Sequence, residues 1–201
     1  MPSKTAICNI ALSHLGHGVE IQDVETERTA EAAACRRFYE QARDGVLRDF
    51  PWPFARRTVS PGLIEEDPNS EWDYGYRYPA DCLIVRRVLS DTRNDSRQSR
   101  VPYVIGRDDG GVVIYTDRPD AEVEYTSLVE DPLQFPAEFT EALTFLLASL
   151  IAPRVTAGDP FKLGRRAFEL YVWAVNKARL QASNEDQVDE QPESEFIRAR
   201  E

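Results

Sequence analysis

The stretch TERTAEAAACRRFYEQARDGVLRDFPWPF, residues 26–54, decides the reading of this chain. Within it Ala30, Ala33, Ala34, Phe38, Ala42, Val46, Leu47 and Phe50 recur at three- and four-residue steps, which predicts a long amphipathic helix from about Thr26 to Phe50. Pro51 and Pro53 end it, because proline has no amide to continue the hydrogen-bond ladder. The small alanines let another helix approach closely, so this helix is expected to pack on the first helix and on later ones. Phe50, Trp52 and Phe54 carry large apolar area on a proline-stiffened turn. They either cap their own core or fill a neighbouring subunit.

Upstream, Ser3 is suited to an N-cap, and Ile7, Ile10, Ala11, Leu12 and Leu15 keep helical spacing until Gly16 and Gly18. Downstream the pattern changes. Pro61 and Gly62 mark a turn, and Trp72, Tyr74, Tyr76 and Tyr78 alternate at strand spacing, which places them on one face. Leu83–Leu89, Val101–Ile105, Val112–Thr116 and Ala121–Leu128 are the strand candidates, with residues 108–111 (DDGG) as a hairpin turn. Asp91–Arg100 reads as an exposed loop. Helical spacing returns at Pro136 and runs through Phe139, Leu143, Leu146, Leu147, Leu150 and Ile151 to a stop at Pro153. Residues 142–152 are apolar nearly all round and belong at the centre of a bundle or in a subunit contact.

Asp159 and Pro160 open a last helix with Leu163, Ala167, Leu170, Tyr171, Ala174, Val175 and Ala178 as its buried stripe and Arg165 and Arg166 elsewhere. From about Ser183 the chain is strongly acidic, yet it carries Phe196 and Ile197, which could anchor a docking arm. The fold class expected is α+β: an antiparallel helical bundle (1–54 and 132–182), an inserted small antiparallel β-domain (55–131) and an extended, acidic C-terminal arm (183–201).

Composition narrows the function. In 201 residues, 24 basic side chains stand against 35 acidic ones, a net charge of −11, and the pI is near 4.8. Specific nucleic-acid binding rests on clustered cations that neutralise phosphates, so direct DNA binding is not expected. All but Lys4, Lys162 and Lys177 of the basic residues are arginine. A partner-rich surface and a GC-rich genome each account for that bias. No apolar run is long enough for a membrane helix, and the amino terminus lacks the apolar core of a signal peptide, so a protein made in a cytoplasm is expected. Cys8, Cys35 and Cys82 show no CxxC spacing and read as three reduced, buried thiols.

Chemical motifs are missing. The chain has no phosphate-binding loop, dinucleotide turn, GxSxG elbow or HExxH pair, and no catalytic residue, cofactor or metal is assigned. His14 and His17 flank the end of the first helix, where both rings are expected at solvent or a subunit contact. Glu65, Glu66 and Asp67 read as a solvated turn beside Pro68, while Glu138 and Glu141 suit the dipole of a helix N-terminus.

Four segments together resemble the head-to-tail adaptor proteins of short-tailed bacteriophages, the family of tail accessory factors and tubular tail protein A. Residues 8–16 (CNIALSHLG) are similar to the family's opening helix, and residues 34–39 (ACRRFY) through Arg43, Asp44, Leu47 and the aromatic turn resemble its second helix and end. Tyr78, Pro79, Asp81, Cys82 and Leu83 resemble a characteristic strand start, and residues 142–152 a later helix.

The resemblance implies a structural virion protein at the head–tail junction. It would form a ring, typically of twelve copies, beneath the portal, extending the DNA channel and attaching nozzle and fibre or spike proteins. Its interface residues would include Phe50, Trp52, Phe54, Arg165, Arg166, Phe196 and Ile197. Twelve acidic chains would repel phosphates, so DNA would pass the lumen without specific binding. Two alternatives stay open: a virion-borne, carboxylate-dependent cell-wall hydrolase, and a monomeric cytoplasmic binding module.

Overall fold

A computed structural model of the chain describes residues 3–18, 20–90, 101–156 and 159–185. Ser3 Oγ accepts from the Ala6 amide and starts helix α1, Lys4–His14. Gly16 ends that helix in the left-handed conformation, φ 84°, and lets the Gly16 and His17 amides return to the Ser13 and Leu12 carbonyls. Helix α2 spans Ala30–Asp49. It starts four residues later than its spacing predicts, because Thr29 caps the Ala32 amide while Asp23 holds Glu25 and Thr26 in a separate turn. Helices α3, Ala137–Val155, and α4, Pro160–Glu185, follow the strands.

Among the described residues between α2 and α3 there are seven strands: β1 Arg56–Val59, β2 Leu63–Asn69, β3 Trp72–Arg77, β4 Cys82–Val88, β5 Val104–Asp108, β6 Gly111–Thr116 and β7 Val123–Ser127. They form two antiparallel sheets, ordered β1-β7-β4 and β2-β3-β6-β5. The chain is thus a mixed α+β fold. The expected hairpin turn joins β5 to β6, where Asp108 pairs with Gly111 and the Arg77 guanidinium holds the Asp108 carboxylate at 3.1 Å.

Two readings in this region change. The Glu65–Asp67 run is not a turn but part of β2, an exposed edge strand whose backbone pairs with β3 and whose carboxylates point to water. Its register slips between Glu66 and Asn69, where Asp67 takes a positive φ of 52°. The Val101–Ile105 candidate shifts to β5, since pairing with β6 starts only at Val104. The Asp91–Arg100 loop lies outside the described residues.

Helix α3 packs on α1, α2 and α4, so its all-round apolarity reflects a central position. Pro153 does not stop it. The helix continues to Val155, and the Ser149 carbonyl, which Pro153 cannot serve, has Gly164 of α4 beside it; a Cβ there would meet that oxygen at 3.3 Å. The main core gathers Ile7, Leu12, Tyr39, Leu47, Phe139, Leu143, Leu147 and Ile151, while a second cluster of Tyr76, Val85, Val88, Ile114, Ala121 and Val123 serves the strands.

The two are joined at the end of α2. Arg86 of β4 donates to the carbonyls of Leu47, Arg48 and Phe50 at 2.8–3.0 Å, and its Nε donates to Thr126 Oγ1 of β7 at 2.8 Å. Ser127 Oγ adds a bond to the Ala55 carbonyl at 3.1 Å. Replacing Arg86 by Met keeps the stem and removes every donor; the expected loss is about 1.5–3 kcal/mol, read from the urea midpoint. An unchanged midpoint would show that water serves those carbonyls equally well.

Candidate interaction surface

Helix α4 begins with Asp159 Oδ1 accepting from the Lys162 amide at 3.0 Å. Ala167, Tyr171, Ala174, Val175 and Ala178 then form its buried stripe, and Tyr171 donates its phenol to the Asp49 carboxylate at the end of α2. Burial, and then that carboxylate, push the Tyr171 phenol well above its ordinary range. Arg179 adds a bond to the Asp49 carbonyl at 3.0 Å. These contacts decide which side of the helix faces outward.

The outward side is not the polar surface a solvated helix presents. Phe161 is 77% exposed, Trp173 56% and Leu180 69%, and Phe168 and Val172 also stand open. Lys162, Arg165 and Arg166 are exposed among them and form no ion pair among the described residues. Where α4 passes the end of α1, a groove of about 510 Å³ opens between residues 13–16 and Leu163, Arg166, Ala167 and Leu170. It offers an imidazole, a guanidinium and apolar walls, with no carboxylate among its lining residues. Such a surface suits a partner that carries both apolar and acidic side chains.

The residues singled out from sequence divide sharply. Arg165 and Arg166 stand on this surface. Phe50 and Trp52 do not reach any surface: they are 8% and 3% exposed, inside the chain's own core, which corrects their assignment to a subunit interface. The Trp52 indole donates to the Val46 carbonyl at 2.7 Å, and its ring meets Phe50 and Phe139 edge to face at 5.0 and 5.2 Å. Phe54 is half-buried and packs on Phe135 and Phe139. Phe196 and Ile197 lie outside the described residues.

Of the two histidines, His14 stays exposed, as expected, and His17 turns inward, against expectation. The His14 ring, still on α1, lies against Phe145 of α3 at 4.5 Å, and the turn at Gly16 carries His17 to α3, where its Nε2 donates to the Val155 carbonyl at 2.7 Å. Cys8 and Cys35 are buried and free, with their thiols hydrogen-bonded to each other; that bond and burial hold the Cys8 proton in place. Cys82 is only half-buried. Glu141 pairs with Lys177 at 3.2 Å, which links α3 to α4. Among the described residues no three His, Cys, Asp or Glu side chains are grouped to hold a metal ion. No family model matches the chain, and no curated protein matches it at a significant level.

Sequence reasoning missed Asp49, Arg86 and Arg179, the groups that orient this surface. It also missed Tyr39, whose hydroxyl is buried without a hydrogen-bond partner among the described residues and whose pKa is pushed up to about 12 by burial and then by Cys8. A phenol whose folded pKa is raised resists ionisation in the native state alone. Stability is therefore intact below pH 10 and drains away as pH rises from about 10 toward 12, because the unfolded chain sheds that proton first. Tyr39→Phe should abolish this part of the alkaline loss and leave neutral stability unchanged or higher by about 1 kcal/mol. Denaturation series at pH 7 and pH 11 test both halves, and a marked loss at pH 7 would mean that the hydroxyl has a partner.

Proposed function

We propose that the chain is a head-to-tail adaptor, a structural virion protein that closes side by side into a ring, typically of twelve copies, beneath a portal. The observation that carries the reading is the outward face of α4, where exposed Phe161, Phe168, Trp173 and Leu180 stand with Lys162, Arg165 and Arg166, which form no ion pair among the described residues, on a chain of net charge −11. Large apolar side chains exposed in this number on one helix mark a surface made for another protein. The order of the opening helix, the aromatic turn, the segment 78–83 that leads into β4 and the central apolar helix supports the same reading. Taken as an adaptor, the chain is a helical bundle (1–54, 132–182) with an inserted β-domain (55–131) and an acidic arm (183–201).

In this reading the bundle meets the portal and neighbouring copies, and the remaining surface meets nozzle and fibre or spike proteins. The acidic balance suits a conduit, since a wall rich in carboxylates gives phosphates nothing to hold and lets DNA slide. No covalent chemistry is involved. Monomers are expected before assembly, with the portal acting as the template.

Mixing the purified chain with its cognate portal and viewing the product by electron microscopy tests this directly. Rings are expected on portals with the unaltered chain, and none with Phe168→Glu/Trp173→Glu, two exposed substitutions that leave the melting temperature within a few degrees. Failure of the unaltered chain to decorate the portal would overturn the proposal, and normal rings from the double variant would remove α4 from the interface.

A further inference from the structure

Leu163, Arg166, Leu170, Trp173, Lys177 and Leu180 step by three and four along α4, so they form one stripe that leads from the far end of the helix to the groove beside α1. We propose that residues 186–201 of the same chain fold back along this stripe and seat Phe196 and Ile197 in the groove. The inference goes beyond the adaptor reading and does not depend on it, because its occupant belongs to the chain itself; on a portal the segment would leave Trp173 for the new partner.

Charge complementarity selects the occupant. Between α4 and Phe196 the sequence carries Asp186, Asp189, Glu190, Glu193 and Glu195 and not one basic residue. The outer side of α4 carries Lys162, Arg165 and Arg166, exposed and without ion pairs among the described residues, against Glu169 alone in that stretch. In this register Glu193 and Glu195 come beside Arg166, whose guanidinium suits bidentate pairing, and Arg198 and Arg200 continue past the groove.

Apolar matching selects the register. Phe196 and Ile197 are the only adjacent large apolar pair in residues 186–201, and the groove walls at Leu163, Ala167 and Leu170 are apolar. Its volume of about 510 Å³ is ample for two such side chains. Arg166, at the rim, is placed to receive Glu193 or Glu195 as the chain enters.

Length allows the return. From the end of α4 back to Arg166 the helix covers about 28 Å at its rise per residue. An extended chain advances about 3.3 Å per residue, so Phe196 reaches about 36 Å from the same point, enough for a reversal and the run. Tethering favours this arrangement over the same contact between two copies, since a short flexible link gives effective concentrations on the order of millimolar.

The test uses the full-length chain with the photoreactive residue p-benzoylphenylalanine in place of Leu170. A mixture of isotopically light and heavy chains is irradiated at 50 and 500 mM NaCl, and the adducts are mapped by mass spectrometry. The expected product joins position 170 to a peptide within 186–201 of the same chain, with a yield that falls about fivefold at the higher salt as the ion pairs are screened. Phe196→Asp/Ile197→Asp should abolish the adduct and, without the photoreactive residue, raise acrylamide quenching of tryptophan fluorescence by uncovering Trp173. Mixed light–heavy adducts, adducts confined to other parts of the chain, no adduct, or a yield indifferent to salt would each overturn the proposal. Unchanged quenching in the double variant would do so as well.

Discussion

The end of α2 is where this molecule is tied together. A helix leaves its last carbonyls without amide partners, and here Pro51 and Pro53 remove two amides from the following turn. The acceptors are met from three directions. The Trp52 indole takes Val46, Arg86 takes Leu47, Arg48 and Phe50, and Arg179 takes Asp49, while the Asp49 carboxylate accepts the Tyr171 phenol. Two cations at the negative end of a helix dipole are favourably placed for charge as well as for hydrogen bonding. Burial lowers the pKa of Arg86, opposed first by Asp49, so the carboxylate also helps to keep that guanidinium charged. One helix end thereby holds a strand, an aromatic turn and another helix in fixed relation.

The orientation of α4 follows from that knot. Tyr171 and Arg179 are two turns apart and both reach Asp49, so the helix cannot roll without losing one of them. Lys177 adds a third point by pairing with Glu141 of α3, and Gly164 allows close approach to α3 at the Ser149 carbonyl. With the inner stripe held in this way, the side bearing Trp173 and Arg166 faces outward because the geometry of α2 leaves it no other choice. The exposed apolar area on α4 is thus a product of the fold's best-anchored contact and not of a loosely packed helix.

Much of this was legible where the signal is local. The stripe in residues 26–54 declared α2, Ser3 and Asp159 declared helix starts, and residues 108–111 declared a hairpin, because caps and turns depend on neighbours in sequence. The acidic β2 was opaque for the opposite reason: Glu65, Glu66 and Asp67 show no apolar alternation, and only pairing with β3 makes them a strand. The destination of Trp52 stayed open in the sequence, since a proline-stiffened aromatic turn fits a core and an interface equally, and the Val46 carbonyl decides between them. Arg86 was hidden among many arginines. Its partners lie 36 to 39 residues away, and the packing of β4 beside the end of α2 alone brings them together.

A basic strip on an acidic protein poses an electrostatic question that bears on which anion it meets. A free polyanion approaching this chain encounters a repulsive field from the −11 net charge before it reaches Lys162, Arg165 and Arg166, so its association is slowed. Screening confines that field to roughly 8 Å at physiological salt, yet it still bears on the last step of approach. A carboxylate segment attached to the same chain does not undergo that encounter, because it is delivered by its tether. A neighbouring copy held in a ring would gain the same advantage once a template had fixed the first subunits in place. The charge pattern therefore discriminates less by affinity than by route: it disfavours anions that arrive from solution and admits those already held nearby.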